Sequence, residues 1–377
     1  VQEALAAALA AWKTQGLPRD PGAWLYRAAY NRLMSDLRQR GNRLRLLEGT
    51  VVDFAETEIP HDAARFSDEV ADDMLRMLFI ACDEAIPPES RLVFALKTLG
   101  GFSTAEIALR LFTTEGNVHK RLARARDRLR ETSPELEAPP LEILAVRLPS
   151  VHEVLYLLFN EGYLSAHEEQ AIRRELCDEA IRFTTLLAEN PVGKRPETFA
   201  LLALMHLHTA RLAARQDRAG GLLLLEEQDR TLWDRNQMGI GMGYLAKAST
   251  GGSFSRYHAE AGIAAEHCLA PSFHQTRWKE IDELYSLLER LAPSPLHTLN
   301  RAIAAAESRG PESGLSILKD LAPPSWLSGS YLWDAVFSDL HRRTGNREAA
   351  GRYAEQALES APTEAVKELL RRRLRPN

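Results

Sequence analysis

A glycine pair followed at once by a capping box limits the middle of this chain to one local geometry. Pro87 and Pro88 set the start of a helix whose apolar residues are Leu92, Phe94, Leu96 and Leu99, and Gly100-Gly101 stops it. Ser103 then caps a second helix, with Glu106 three positions on, so that each side chain satisfies a backbone N–H the other leaves free. Ile107, Ala108 and Leu111 form its inward face. After a turn through Phe112 and Thr113, a third helix begins near Thr114; Val118 and Leu122 bury one side, and His119, Lys120, Arg121, Arg124, Arg126 and Arg128 occupy the rest.

The spacing predicts a helix-turn-helix. Two helices that cross steeply need a small residue on the first, here Ala108, and a plug on the second, here Val118. A cationic helix presented this way fits a major groove, with Lys and Arg on phosphates and the leading side chains at base edges. A basic helix taken alone is equally compatible with a core hairpin bearing a solvated face. The capping box, the Ala-to-Val spacing and the one-sided charge together favour DNA. Phe112 stands at the turn where many such motifs carry glycine.

The run PPESRLVFALKTLGGFSTAEIALRLFTTEGNVHKRLARARDRLR, Pro87 to Arg130, resembles the promoter-reading domain four of bacterial RNA polymerase sigma factors of the extracytoplasmic-function type. The resemblance implies contacts with the minus-35 element and with the flap of the β subunit.

Composition sets outer limits. The 377 residues leave room for two or three domains, and 45% hydrophobic with 26% charged residues is ordinary for a soluble protein. There is no run of about 18 uncharged apolar residues, so no spanning helix and no membrane partner are expected. The chain starts at Val1 without a secretory pattern, and the expectation is of a trimmed N-terminus. Three separated cysteines, Cys82, Cys177 and Cys268, argue against a disulfide framework or a zinc site and fit a reducing cytoplasm.

The net charge of −5 is unevenly spread. Val1 to Glu48 holds eight basic and four acidic residues, Gly49 to Asp73 one and eight, and Met74 to Arg130 ten and six. Two basic blocks joined by an acidic tether, then an acidic body, suggest separate jobs.

The first block is helical: VQEALAAALAAW ends near Gly16 and Pro18, and Pro21 opens a second helix with Trp24, Leu25, Ala28, Leu33 and Leu37 along one side. VQEAL and the AWLYRAAYNRLMSDLRQR run are similar to the second half of sigma domain two. The resemblance implies that Gln2 and Glu3 face the β′ clamp and that Asn31, with Arg27 and Arg32, lies beside the melted minus-10 strand. That family normally carries a further helix or two before the VQEAL position, so a partial domain two is the expectation for this chain. Trp24 reads as core. The segment 49–73 reads as an exposed, self-repelling linker; the family's linker threads toward the RNA exit channel.

SPELEAPP, just after Arg130, marks another boundary, and amphipathic helices follow. LEILAVRLPSVHEVLYLLFNEGYL is expected to contain two, Arg173–Glu189 and Thr198–Arg215 one each, and QDRTLWDRNQMGIGMGYLAKA another, loosened by glycines. Near the end, helices close on Ala-Pro three times, and Gly310 and Gly345 stand 35 residues apart between paired helices. Together with Trp333, Tyr353 and Ala357, this spacing suggests tetratricopeptide-like repeats, whose concave side would take a protein or peptide.

Catalysis finds little support. His206 and His208 fall on different helix faces, no HExxH occurs, and the glycines from Gly239 to Gly243 follow no strand. Neither a metal nor a cofactor is expected. Leu155–Tyr163 and Gln228–Asp234 resemble segments of a sigma subgroup with a long helical extension; Asn160, Glu161, Asp229 and Arg230 within them read as a buried hydrogen-bond network.

The expected architecture is therefore all-α: partial sigma domain two (1–48), acidic linker (49–73), helix-turn-helix domain four (74–132), helical extension (133–250) and tetratricopeptide-like repeats (251–377). The expected function is a cytoplasmic, non-enzymatic sigma factor that takes core RNA polymerase to promoter DNA, regulated by its C-terminal body. A simpler helix-turn-helix regulator with a sensor or scaffold body is the alternative.

Overall fold

The local signals of the middle segment produce the helices they predict. The computed structural model describes residues 75–111, 113–132, 141–164, 172–217, 220–319, 321–361 and 363–374. The two basic helices expected before residue 48, with Gln2, Glu3, Arg27, Asn31 and Arg32, and the acidic tether lie outside those residues.

Residues 75–81 are helical, followed by α1 (Pro88–Thr98), α2 (Thr104–Arg110) and α3 (Glu115–Thr132). Gly101 turns the chain between α1 and α2 at φ 62°, a left-handed conformation that glycine adopts without steric cost. The capping box forms: the Ser103 N–H donates to Glu106 Oε2 at 2.7 Å, and the Glu106 N–H to Ser103 Oγ at 3.1 Å. Thr114 caps α3, its Oγ1 accepting from the Asn117 N–H at 3.3 Å.

The next helices are α4 (Leu141–Tyr163), α5 (Arg174–Glu189), α6 (Pro196–Thr209), α7 (Arg235–Ala248) and α8 (Arg256–Leu269). α4 is one helix where two were expected, and Pro149 sits inside it. An interior proline forfeits the bond to the carbonyl four residues back and costs about 3 kcal/mol. Here Pro149 and Ala145 are both exposed, so water can reach the freed carbonyl. Burial of Leu148, Val151, Val154 and Leu155 on the opposite side holds the rod together. α6 ends at Thr209 rather than continuing to Arg215; a 3₁₀ turn at Leu212–Ala214 follows. Gln228–Asp234 forms no α-helix but a 3₁₀ turn at Arg230–Leu232, after which Asp234 caps α7 by accepting from the Asn236 and Gln237 N–H groups. The glycine run 239–243 thus lies in a helix. Gly241 faces α6, where a Cβ would meet Leu207 Cγ at 2.8 Å.

Seven helices complete the described chain: α9 (Trp278–Leu291), α10 (Pro295–Arg309), α11 (Pro311–Leu318), α12 (Ser325–Ser328), α13 (Tyr331–Arg343), α14 (Arg347–Glu359) and α15 (Glu364–Arg373). Gly310, between α10 and α11, and Gly345, between α13 and α14, have φ of 98° and 82°, as the two predicted hairpin turns require. Asp282 on α9 is buried and holds Arg301 at 3.1 Å and Arg309 at 2.5 Å, fastening α9 to α10. α15 returns to the middle of the chain: Leu370 and Leu374 pack with Leu222, and Arg372 donates to the Leu222 carbonyl. Among the described residues, all regular structure is helical apart from an isolated bridge between Gln216 and Leu222. No helix among them is long and apolar enough to cross a membrane.

Candidate nucleic-acid interface

Burial and charge divide α3 cleanly. Val118, Leu122 and Ala125 are each 3% exposed or less and bind the helix to its neighbours. Ala108 on α2 is buried as well, the small residue expected at the crossing. His119, Lys120, Arg124, Arg126 and Arg128 are exposed. Among the described residues no carboxylate lies within 4.0 Å of Lys120, Arg124 or Arg126. Arg128 pairs with Glu131 at 2.9 Å. Arg121 differs: it is half-buried, and its Nη2 lies 3.4 Å from Glu89 Oε2 on α1. Of the six side chains expected to face DNA, four are exposed, one is exposed with a local carboxylate pair, and one is tethered to α1.

The side of the helix-turn-helix away from this basic face is built into the rest of the molecule. Leu78, Leu96, Phe102 and Ile107 share one apolar cluster with Leu155, Leu158 and Phe183 of α4 and α5. Three arginines fasten its rim. Arg91 on α1 donates to Ser150 Oγ at 2.7 Å. Arg147 on α4, 8% exposed, reaches the Phe79 carbonyl at 3.3 Å and the Asp83 and Glu84 carboxylates. Arg173, 4% exposed and just ahead of α5, donates to Glu106 Oε1 at 2.8 Å and lies 4.0 Å from buried Glu161.

Glu106 therefore serves two elements at once. One oxygen closes the capping box of α2 and the other receives Arg173. Burial pushes its carboxyl up, but the Ser103 N–H and hydroxyl, and then the Arg173 guanidinium, outweigh this and hold it below the ordinary glutamate range. Gly162, near the end of α4, permits the approach of α5: a Cβ there would meet Cys177 N at 2.6 Å and the Arg173 carbonyl oxygen at 2.8 Å.

Glu161 and Arg230 are engaged as the sequence suggested, in part. Glu161 is buried beside Arg173, and Arg230 donates to the carbonyls that end α8. Asp229 is exposed and caps the 3₁₀ turn instead of joining a buried network. Arg91, Arg147 and Arg173 went unread in the sequence because Ser150, Asp83 and Glu106 lie 59, 64 and 67 positions from them; no local pattern announces such pairs. His206 and His208 do not converge. His206 Nδ1 lies 2.6 Å from Gln237 Oε1, whereas His208 packs on Tyr163. Among the described residues no group of three His, Cys, Asp or Glu side chains is placed to hold a metal.

Residues 76–129, which contain the capped pair and the basic helix, match the family described as Sigma-70, region 4. Residues 147–249 match a family of unknown function (DUF6596). An uncharacterized protein of Rhizobium meliloti (strain 1021) is 35% identical over 349 residues, which is 91% of this chain and 81% of that protein. The chain belongs to the same family as the Rhizobium protein. In this member of the family, the region 4 match supports a DNA-binding role of the sigma-70 type, with RNA polymerase and promoter DNA as partners in general terms. The Arg147 and Arg173 joints fasten the region 4 unit to the DUF6596 helices. No solved structure matches the chain.

Proposed function

We propose that this protein is a sigma factor of the extracytoplasmic-function type that brings core RNA polymerase to a small set of promoters. α3 enters the major groove at the minus-35 element. His119, Lys120 and Arg124 approach base edges, and Arg121, Arg126 and Arg128 meet phosphates. The observation that carries this reading is the division of α3: one face is locked into an apolar core and the opposite face offers cations to solvent. Arg121, already held by Glu89, would bring its charge to a phosphate in a fixed position. Gln2 and Glu3 would meet the β′ clamp, and Arg27, Asn31 and Arg32 the melted minus-10 strand, while the β flap binds the region 4 unit. The protein acts in the cytoplasm by binding, and the polymerase supplies the chemistry.

The C-terminal helices act as a regulator. The Arg147 and Arg173 joints engage the side of the helix-turn-helix away from its basic face, which favours regulation by a route other than covering the DNA-reading surface. The hairpins α10–α11 and α13–α14, each turning on a positive-φ glycine, support a tetratricopeptide-like array that docks a protein or peptide.

Run-off transcription with core polymerase tests the assignment. Full-length protein should direct transcripts from particular promoters, and Arg124→Ala should weaken binding to those promoters by about 1–3 kcal/mol. An equal loss on unrelated DNA would refute base reading by Arg124. Binding to DNA without any transcript would favour the simpler regulator. Because the helix-turn-helix shares its apolar core with α4 and α5, removing residues 141–377 would expose that core; substitutions in the full chain are the sounder test of regulation.

A further inference from the structure

The end of α6 gathers cations that DNA reading does not use. Arg211, 8% exposed, follows the helix directly. The loop before α7 returns to it: the Asp234 N–H donates to the Ala210 carbonyl at 2.9 Å, which brings buried Trp233 alongside. The Arg211 guanidinium lies 5.2 Å from the Trp233 ring centroid, and Arg230 lies 4.5 Å from the same ring. Arg230 Nη1 also donates to the His267 and Ala270 carbonyls at 2.6 and 2.7 Å. Beyond Arg211, Arg215 donates to the Tyr163 carbonyl and stacks on its ring at 3.7 Å.

The described residues place no balancing charge beside this group. Among the described residues no carboxylate lies within 4.0 Å of Arg211, Arg215 or Arg230. Three buried donor atoms, Arg211 Nε, Arg230 Nη2 and Trp233 Nε1, have no hydrogen-bond partner among the described residues. The neighbouring imidazoles add no counter-charge; burial, then the adjacent arginines, holds His267 down at about 3. For a guanidinium as buried as that of Arg211, lacking an anion costs more than an aromatic face returns. Elsewhere in the same chain, Arg147, Arg173 and Arg301 are each matched with carboxylates.

We propose that this cluster binds a small oxyanion, a phosphate- or carboxylate-bearing solute, through Arg211 Nε, Arg230 Nη2 and the Trp233 indole N–H. Guanidinium donors suit oxyanions in both charge and geometry, and water-poor surroundings strengthen each bond. The loop that supplies Arg230 and Trp233 is the outer wall: Thr231 and Leu232, between them in sequence, are exposed, so a solute reaches the cluster by a small displacement of that loop. The site belongs to the helical domain alone and stands whether or not α3 reads promoters.

Calorimetric titration of the full-length protein with inorganic phosphate, and separately with succinate, at constant ionic strength set by sodium chloride, tests it. One of the two anions should bind saturably with one site per chain and raise the melting temperature, and the arm that responds identifies phosphate or carboxylate chemistry. Arg211→Gln should weaken that binding at least tenfold. Trp233→Phe, which keeps the ring and removes the donor, should weaken it by a smaller factor with the fold intact by circular dichroism. Absence of saturable binding by either anion, an effect that chloride reproduces, or folded variants that bind as tightly as the parent would overturn the proposal.

Discussion

Two regions of this molecule bury arginine and use it in opposite ways. At the joint beneath the helix-turn-helix, Arg147 and Arg173 each meet carboxylates from the other side, Asp83 and Glu84 in one case and Glu106 in the other. At the end of α6, buried Arg211 and half-buried Arg230 meet an indole ring and carbonyls but, among the described residues, no carboxylate. A neutralised buried charge fixes two elements in register. One left without a counter-ion stays responsive to whatever anion arrives. The exposed cations of α3 form a third case, in which water covers the charge.

The comparison breaks most visibly at Arg173. Replacing it with alanine removes the guanidinium that Glu106 and Glu161 share, and breaking such a pair costs about 3–5 kcal/mol. Urea unfolding of the full chain should show it; a change under about 1 kcal/mol would mean the joint rests on apolar packing alone. Gly162→Ala should cost about 1–3 kcal/mol, because its Cβ would press on backbone atoms of Arg173 and Cys177 that cannot swing aside.

Acid should sharpen the contrast in two steps. Burial holds His152, whose Nε2 lies 2.8 Å from Thr198 Oγ1, at about 4. The unfolded chain takes up that proton near pH 6.5, so stability should fall as pH drops from about 6.5 toward 4, by up to about 1.4 kcal/mol per pH unit for this group. Glu106, held below the ordinary glutamate range, contributes stability that is complete above that range and lost as pH falls through its lowered value. Urea midpoints for the parent and His152→Gln should differ in slope between pH 7 and 5; parallel curves would exclude the histidine. The smallest effect is expected at Ser103→Ala, about 1 kcal/mol for one lost cap, read as a small shift in melting temperature. A loss as large as that at Arg173 would show that the cap also positions Glu106 for the joint.

The helix-turn-helix was legible because each of its signals is local: a glycine stop at Gly101, a Ser103–Glu106 box, and an apolar stripe through Val118 and Leu122. The same held for the glycines at 310 and 345, which turn where the spacing placed them. Local reading failed where tertiary packing overrode it. Pro149 should end a helix, yet α4 runs through it because the residues on its other side are buried together. Gln228–Asp234 looked helical by composition, but Asp229 and Asp234 both act as caps and confine it to a single 3₁₀ turn. The joints were out of reach in principle, since Arg147 and Arg173 become meaningful only when partners more than 60 positions earlier are brought beside them.

One apolar cluster runs without a break from Leu78 and Phe102 into Leu155 and Phe183. The helix-turn-helix consequently has no private melting point. A solute that tightens the helical body, or a substitution there that loosens it, shifts the population of intact α3 by mass action alone; under the function proposed above, promoter occupancy would then respond to events far from α3, whose exposed face need not be touched.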